Sequence, residues 1–191
     1  MTTARSPEAE RLLALATDYV LEHGVAGVSL SRLAQSIGSN NRMLLYYFGS
    51  KEQLIAAATS AAYDRFPALH GLLPGLREGG ELTELIERGW RRLRDPENAA
   101  FLTLFFEVFA LAARDPDDHR AHLGVLAAHW PAEMRHVFAE HGYSHEEAEL
   151  AMLQLLALWR GMQFSLLSGL DVADLDAAHD AAVRQLFPPR R

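Results

Sequence analysis

The stretch SLSRLAQSIGSNNRMLLYYFGSK, Ser29 to Lys51, reads as two short helices joined by a tight turn. Leu30, Leu33, Ala34 and Ile37 recur at i, i+3, i+4 and i+7, which places them in one apolar stripe along a first helix. Ser29 stands at its N-cap, where the hydroxyl can accept from a free backbone N–H. Gly38 stands where the chain leaves the helix through a left-handed conformation. After three turn residues a second helix turns Leu44, Tyr47 and Phe48 inward. It leaves Asn40, Asn41, Arg42 and Tyr46 outward, a polar and aromatic set suited to base edges and phosphates. Gly49 ends that helix, and Ser50 opens the next with Gln53 at the spacing of a capping box.

On these residues the stretch resembles the DNA-binding domain of the TetR family of bacterial transcriptional regulators. Ser29, Leu33, Ala34, Gly38, Leu44, Tyr46, Phe48, Lys51 and Glu52 keep the frame of that family's pattern. Ser39, Arg42, Met43 and Leu45 stand where Val, Gly, Thr and Tyr are usual. The resemblance implies an all-α chain with an N-terminal three-helix helix-turn-helix domain, residues 1–50. A C-terminal helical bundle for ligand binding and dimerisation, residues 51–191, would follow. It also implies phosphate contacts from Lys51 and, with them, Ser29, Tyr46 and Tyr47. Asn40, Asn41 and Arg42 are the remaining DNA-binding candidates, at the start of the helix that would enter the major groove.

The formal net charge of −7 argues against a DNA-binding chain until it is located. Residues 1–53 hold five basic and five acidic side chains, so residues 54–191 carry the whole deficit. His23 to Lys51 contains Arg32, Arg42 and Lys51 and no carboxylate, a local charge of +3 that a dimer would double. Such a footprint is modest, so affinity would also draw on helix N-termini, hydroxyls and duplicated half-sites. The chain has no Cys, which excludes disulfides and thiolate chemistry and agrees with a reducing cytoplasm. Met1 to Glu8 has no apolar core of a signal peptide. The apolar run Leu150 to Leu167 is interrupted by Gln154, Arg160 and Gln163 and reads as a buried helix rather than a membrane span.

Punctuation divides the chain into further helices. Ser6-Pro7-Glu8 opens a helix that runs to His23 and stops at Gly24, with Leu12, Leu15, Ala16, Tyr19 and Val20 as its apolar stripe. Another runs from Lys51 to about Phe66. Pro67, Pro74 and Gly79-Gly80 bound a loose connection. Helices are then expected over Glu81–Arg94, Pro96–Arg114 and Asp118–His141, the last kinked or restarted at Pro131. The capping box of Ser144 and Glu147 opens a long helix to Ser168, and Asp171–Phe187 forms the final one.

The helix after Ser144 is uncharged over most of two faces. One carries Leu150, Gln154, Ala157, Gly161, Ser165 and Ser168; the other carries Met152, Leu155, Leu156, Trp159, Gln163 and Leu166. A helix unable to face water on either side must be covered twice. TetR-like proteins dimerise through their last two helices, so the small-residue face, Ala157, Gly161 and Ser165, is assigned to the dimer seam. Packing on the last helix of the same subunit is the alternative. The resemblance further implies a small-molecule pocket, for which Trp90, Phe105, Phe109, Trp130, Met152, Trp159 and Gln163 are candidates, with plain core as the alternative reading. Glu107 interrupts an apolar run and reads either as a buried carboxylate awaiting a ligand or as part of a solvent-facing strip.

Nine histidines include the pairs His119/His122 and His141/His145, but no four-ligand signature forms, and no metal or other cofactor is expected. No catalytic motif offers an enzyme hypothesis a starting residue. The sequence thus points to a cytoplasmic, homodimeric, ligand-responsive regulator that is not an enzyme, binds a double-stranded DNA operator and a small-molecule effector, and needs no membrane. Its rival is a helical small-molecule-binding or enzymatic bundle whose N-terminal segment no longer binds DNA. Arg42 at the usual Gly and the near-neutral N-terminal segment are what favour that rival.

Overall fold

The computed structural model describes residues 6–114 and 129–188, and every regular element among them is helical. In chain order these are α1 (Pro7–His23), α2 (Leu30–Ser36), α3 (Asn41–Phe48), α4 (Lys51–Tyr63), α5 (Pro67–His70), α6 (Leu72–Leu76) and α7 (Leu82–Leu93). After a 3-10 turn at Pro96–Asn98 come α8 (Ala99–Arg114), α9 (His129–Glu140), α10 (His145–Leu167) and α11 (Val172–Leu186). The described residues fall into two compact units. One lies within Met1–Arg65 and Thr103–Leu126, the other within Phe66–Leu102 and Ala127–Arg191.

In the first unit, α1 starts at the Ser6 side chain, which accepts from Ala9 N at 3.3 Å, with Pro7 in its first turn. Its buried positions, Ala9, Leu12, Leu13, Ala16, Thr17, Tyr19 and Val20, form a wider stripe than the sequence pattern predicts, with Leu15 only half-buried. Leu12, Ala16 and Val20 are fully buried, as are Leu33, Leu44, Leu54, Ala58 and Ala62 from α2, α3 and α4 to within 1%. Each such Leu contributes on the order of 1.5–3 kcal/mol relative to exposure, which secures three helices too short to be stable alone. The most extensive helix pairing in the unit is α1 on α4. Arg65, just beyond α4, pairs with Asp18 and donates to Ala14 O at 3.0 Å. Compactness therefore groups α4 with α1, whereas the sequence reading begins its second domain at residue 51.

The second unit packs α6 on α7, α9 on α10 and α10 on α11, and α11 also lies against α7. Gly89 in α7 permits one of these approaches, because a Cβ there would lie 2.9 Å from the Trp159 ring. Phe138 stacks obliquely on Phe187 at 5.3 Å and meets Tyr143 edge-on at 5.2 Å, both contacts closing α9 against its neighbours. Helix α10 is long and apolar enough by composition to cross a membrane, as is Pro96–Arg114. The expectation of a buried helix holds for one face of α10 only: Met152, Leu155 and Trp159 are buried within this unit, whereas Leu150, Leu153, Phe164 and Leu167 are exposed.

One expectation needs correction. The connection after Pro67 is not loose: it holds α5 and α6, with Leu69, Leu72 and Leu76 buried at helical spacing. Arg92 secures it by donating to Gly71 O at 2.7 Å. Pro and Gly obscure that periodicity in the sequence, yet Pro74 sits in the first turn of α6, where its missing N–H costs no helical hydrogen bond. Pro131 lies in the first turn of α9 (His129–Glu140), in keeping with the restart expected there. The earlier part of the helix expected over 118–141 lies outside the described residues.

Candidate nucleic-acid interface

The candidate face is built from local caps. The Ser29 hydroxyl accepts from Arg32 N at 3.2 Å and starts α2, and Gly38 leaves it at φ 67°. Asn40 starts α3 by accepting from Met43 N at 3.0 Å through Oδ1, so its amide nitrogen is the part left outward. Ser50 starts α4 by accepting from Gln53 N at 3.1 Å. Leu44 and Phe48 hold α3 down, buried to 1% and 8%. Tyr47, expected inward with them, is half-buried.

Asn41, Arg42, Leu45 and Tyr46 are exposed along α3, Tyr46 to 76%. The Tyr46 ring meets Tyr47 edge-on at 4.9 Å. Asn41 is not free to swing, because its Nδ2 donates to Ser31 Oγ on α2 at 2.8 Å. One amide hydrogen is thereby used, and Oδ1 with the second hydrogen remains for recognition. Ser31 was not among the sequence candidates. Its only signal was a hydroxyl on the exposed side of α2, which many surface serines share. Lys51 lies at the first position of α4, half-buried, with Glu52 Oε1 3.7 Å from its ammonium group. Backbone hydrogen bonding at the helix start, then Ser50 and Lys51, hold the Glu52 carboxyl below its ordinary range. The cation nearest the expected phosphate is thus partly offset by its neighbour.

The strip that Glu107 shares with Ala100, Thr103, Ala110 and Arg114 is exposed at those four positions, while Glu107 itself is half-buried and bonded to a loop. Its carboxylate accepts from Val25 N at 2.8 Å and from Ala26 N at 2.6 Å, in the loop between α1 and α2. The segment His23 to Lys51 contains no carboxylate of its own, and folding supplies one from α8.

The aromatic candidates in the second unit surround a histidine. Trp90 stacks on His179 at 5.4 Å, and the Trp159 indole N–H donates to His179 Nε2 at 3.1 Å. Trp130 meets Trp159 edge-on at 6.2 Å, and Trp90 donates to Asp176 at 2.8 Å. Trp90, Met152, Trp159 and Gln163 are buried, and Trp130 is half-buried. Phe105 and Phe109, half-buried with their rings 4.7 Å apart, belong to the first unit. Burial of His179 pushes its pKa below the ordinary 6.5, against the opposing pull of Asp180 and Asp176. Sequence reasoning missed His179 because a histidine in the amphipathic last helix carries no mark of its partners.

On α10, Leu150, Gln154, Ala157, Gly161, Phe164 and Ser168 are exposed and Ser165 is half-buried. A Cβ added at Gly161 would meet nothing within 4 Å, so this face is not covered by α11. Among the described residues no three His, Asp or Glu side chains come together as a metal site. His119 and His122 lie outside those residues, and His141 Nδ1 instead contacts Val137 O at 2.8 Å.

The first unit is a capped helix-turn-helix on a buried α1–α4 support, and the second unit is all-α. Residues 12–58 match the family described as bacterial regulatory proteins, tetR family. A search of curated proteins finds no significant match. Among solved structures, a transcriptional regulator from Rhodococcus sp. Rha1 superposes with a TM-score of 0.73 at 21% identity, covering 94% of this chain and 95% of that one. The multidrug binding protein EbrR, complexed with imidazole, superposes with a TM-score of 0.72 at 20% identity, covering 96% and 92%. A TetR-like transcriptional regulator from Rhodococcus sp. RHA1 gives a TM-score of 0.67 at 17% identity, covering 97% and 99%. The family match is thus confined to residues 12–58, and the chain shares the fold of these solved structures over nearly its whole length.

Proposed function

We propose that this chain is a cytoplasmic, homodimeric, ligand-responsive transcriptional repressor that places α3 of each subunit in the major groove of a pseudo-palindromic operator. The observation that carries the reading is the exposed row Asn41, Arg42 and Tyr46 on a helix capped by Asn40, in a stretch of sequence without carboxylates. Base edges in the major groove present acceptors and donors that match an Arg fork and an Asn amide. Ser29, Tyr46, Tyr47 and Lys51 would hold the duplex by its phosphates, with Asn40 at the groove entrance. Residues 1–50 form the DNA-binding part in this reading, and residues 51–191 bind the effector and the second subunit. The open face of α10, Ala157 and Gly161 with Ser165 at its edge, is the seam for that second copy.

Trp90, Trp130, Met152, Trp159 and Gln163 of the second unit are proposed to supply the effector's apolar surroundings. The multidrug binding protein with bound imidazole has the same fold, which supports a small-molecule role for this part of the chain. An effector acts only through different affinity for two arrangements of the reading heads, the bound one disfavouring the operator spacing. The test is a salt-titrated binding assay on the DNA upstream of the chain's own coding region. A saturable complex on one site, weakening steeply with salt, is expected. Binding no tighter than to unrelated duplex would overturn the reading.

A further inference from the structure

We infer that Glu107 is a positioning residue for DNA recognition, a carboxylate clamp that holds the loop between α1 and α2 and thereby sets how the helix-turn-helix is presented. The inference rests on the proposed DNA binding and adds to it a residue that belongs to no part of the DNA-contacting set. Glu107 lies 82 residues from Val25 in sequence, yet both carboxylate oxygens are committed there, Oε2 to Val25 N and Oε1 to Ala26 N. Two consecutive backbone N–H groups converging on one carboxylate form an anion-holding nest, and bonds to an ionised acceptor are about twice as strong as neutral ones.

The loop is shaped around this contact. Gly24 ends α1 at φ 73°, and a Cβ at that position would fall 2.4 Å from a Glu107 oxygen. Val25 and Val28 on either side of Ala26 are buried to 6% and 8%, so the segment leading into the Ser29 cap has little freedom once the amides are held. Helix α8 itself is seated by Leu104, Val108 and Ala112, all buried to within 3%. A loop fixed at Gly24 by the end of α1 and at Ala26 by α8 delivers α2 in one orientation, and α3 follows through the Asn41–Ser31 contact.

Electrostatics and positioning predict opposite signs for one substitution. If Glu107 were only a surface acid, removing its negative charge would strengthen binding to a polyanion. As a clamp, its removal weakens binding, because the loop is released.

The experiment compares wild type, Glu107→Ala and Glu107→Gln in the full chain. It reads amide hydrogen exchange at Val25 and Ala26, and affinity for duplexes that the wild type selects from a random pool at one salt concentration. Glu107→Ala is expected to speed exchange at those two amides and to weaken DNA binding by about tenfold, the scale for losing charge-assisted bonds to a held segment. Amides in the α1 core, such as Leu12 and Ala16, keep their protection. Glu107→Gln retains one acceptor oxygen and falls between. Should Glu107→Ala lose the α1 protection as well, the Gln variant decides.

Unchanged exchange at Val25 and Ala26 overturns the clamp, and so does released exchange with DNA bound as tightly as, or more tightly than, by wild type. If the wild type selects no duplex at all, the proposed function fails instead, and the exchange data still decide whether the clamp exists.

Discussion

Arg42 occupies the second position of α3, exposed, and makes no ion pair among the described residues. Its neighbour Asn41 is held by Ser31, so the two side chains differ in how much order they must gain on binding. The Arg fork matches guanine O6 and N7, and the expectation is a guanine specified in each half-site. Arg42→Ala should cost about 1 to 3 kcal/mol per half-site on the best operator and lose preference at that base pair. Selection from random DNA reads this directly: equal stringency at every position for both proteins would make Arg42 a phosphate ligand instead. Lys51 tests the other class of contact. Lys51→Ala should weaken binding to all sequences alike and make the salt dependence shallower by about one unit per lost contact. The adjacent Glu52 at 3.7 Å limits the size of that effect, and a slope equal to wild type would remove Lys51 from the phosphate set.

At the scale of elements, α7, α10 and α11 meet around His179, which has no solvent exposure. Trp90 covers one face of its ring, and Trp159 donates to Nε2, which requires that nitrogen to be unprotonated. Nδ1 then carries the proton and points at Asp180 Oδ1, 3.2 Å away. With burial holding the folded-state pKa below 6.5, both states are neutral at this group above that value. As pH falls below it, the unfolded chain takes up a proton that the folded chain refuses, so stability declines until the folded pKa is reached. Melting temperatures measured at about pH 7.5 and about pH 5.5 should therefore fall more for wild type than for His179→Gln, which keeps an acceptor for Trp159 but does not titrate in this range. Equal losses would show that protonation elsewhere governs acid stability.

At the scale of the whole molecule, the assembly is tested on Gly161. The open space around its Cβ position means that a larger side chain meets no steric penalty within the subunit. Leu is also the better helix former by about 0.8 kcal/mol, so Gly161→Leu should leave the isolated subunit as stable as before or slightly more so. At a seam of close backbones the same change overfills the contact, at a cost of about 1 to 3 kcal/mol. Sedimentation should show the variant shifted toward monomer with its helicity intact. A variant that sediments as wild type would move the seam elsewhere, and the exposed Val172 and Leu186 make the final helix the next place to look.

Outside α5 and α6, most helix starts and ends and the helix-turn-helix were legible in the sequence because they depend on neighbours three or four residues apart. Ser6, Ser29, Asn40, Ser50, Ser144 and Asp171 each accept from a backbone N–H two or three residues on, and Gly24, Gly38 and Gly49 adopt the positive φ that only glycine takes easily. The outward set Asn40, Asn41, Arg42 and Tyr46 follows from the same local periodicity. Which distant groups meet was decided by tertiary structure alone. A glutamate within an apolar run can face water, a ligand or a loop, and only the packing of α8 brings Glu107 to Val25 and Ala26. The Asn41–Ser31 bond depends on the angle between α2 and α3, and the setting of His179 depends on bringing α7, far away in the chain, against α10 and α11. Backbone caps form within one turn of helix, whereas the partner of a buried polar side chain is chosen by whichever surfaces the apolar core has already brought together.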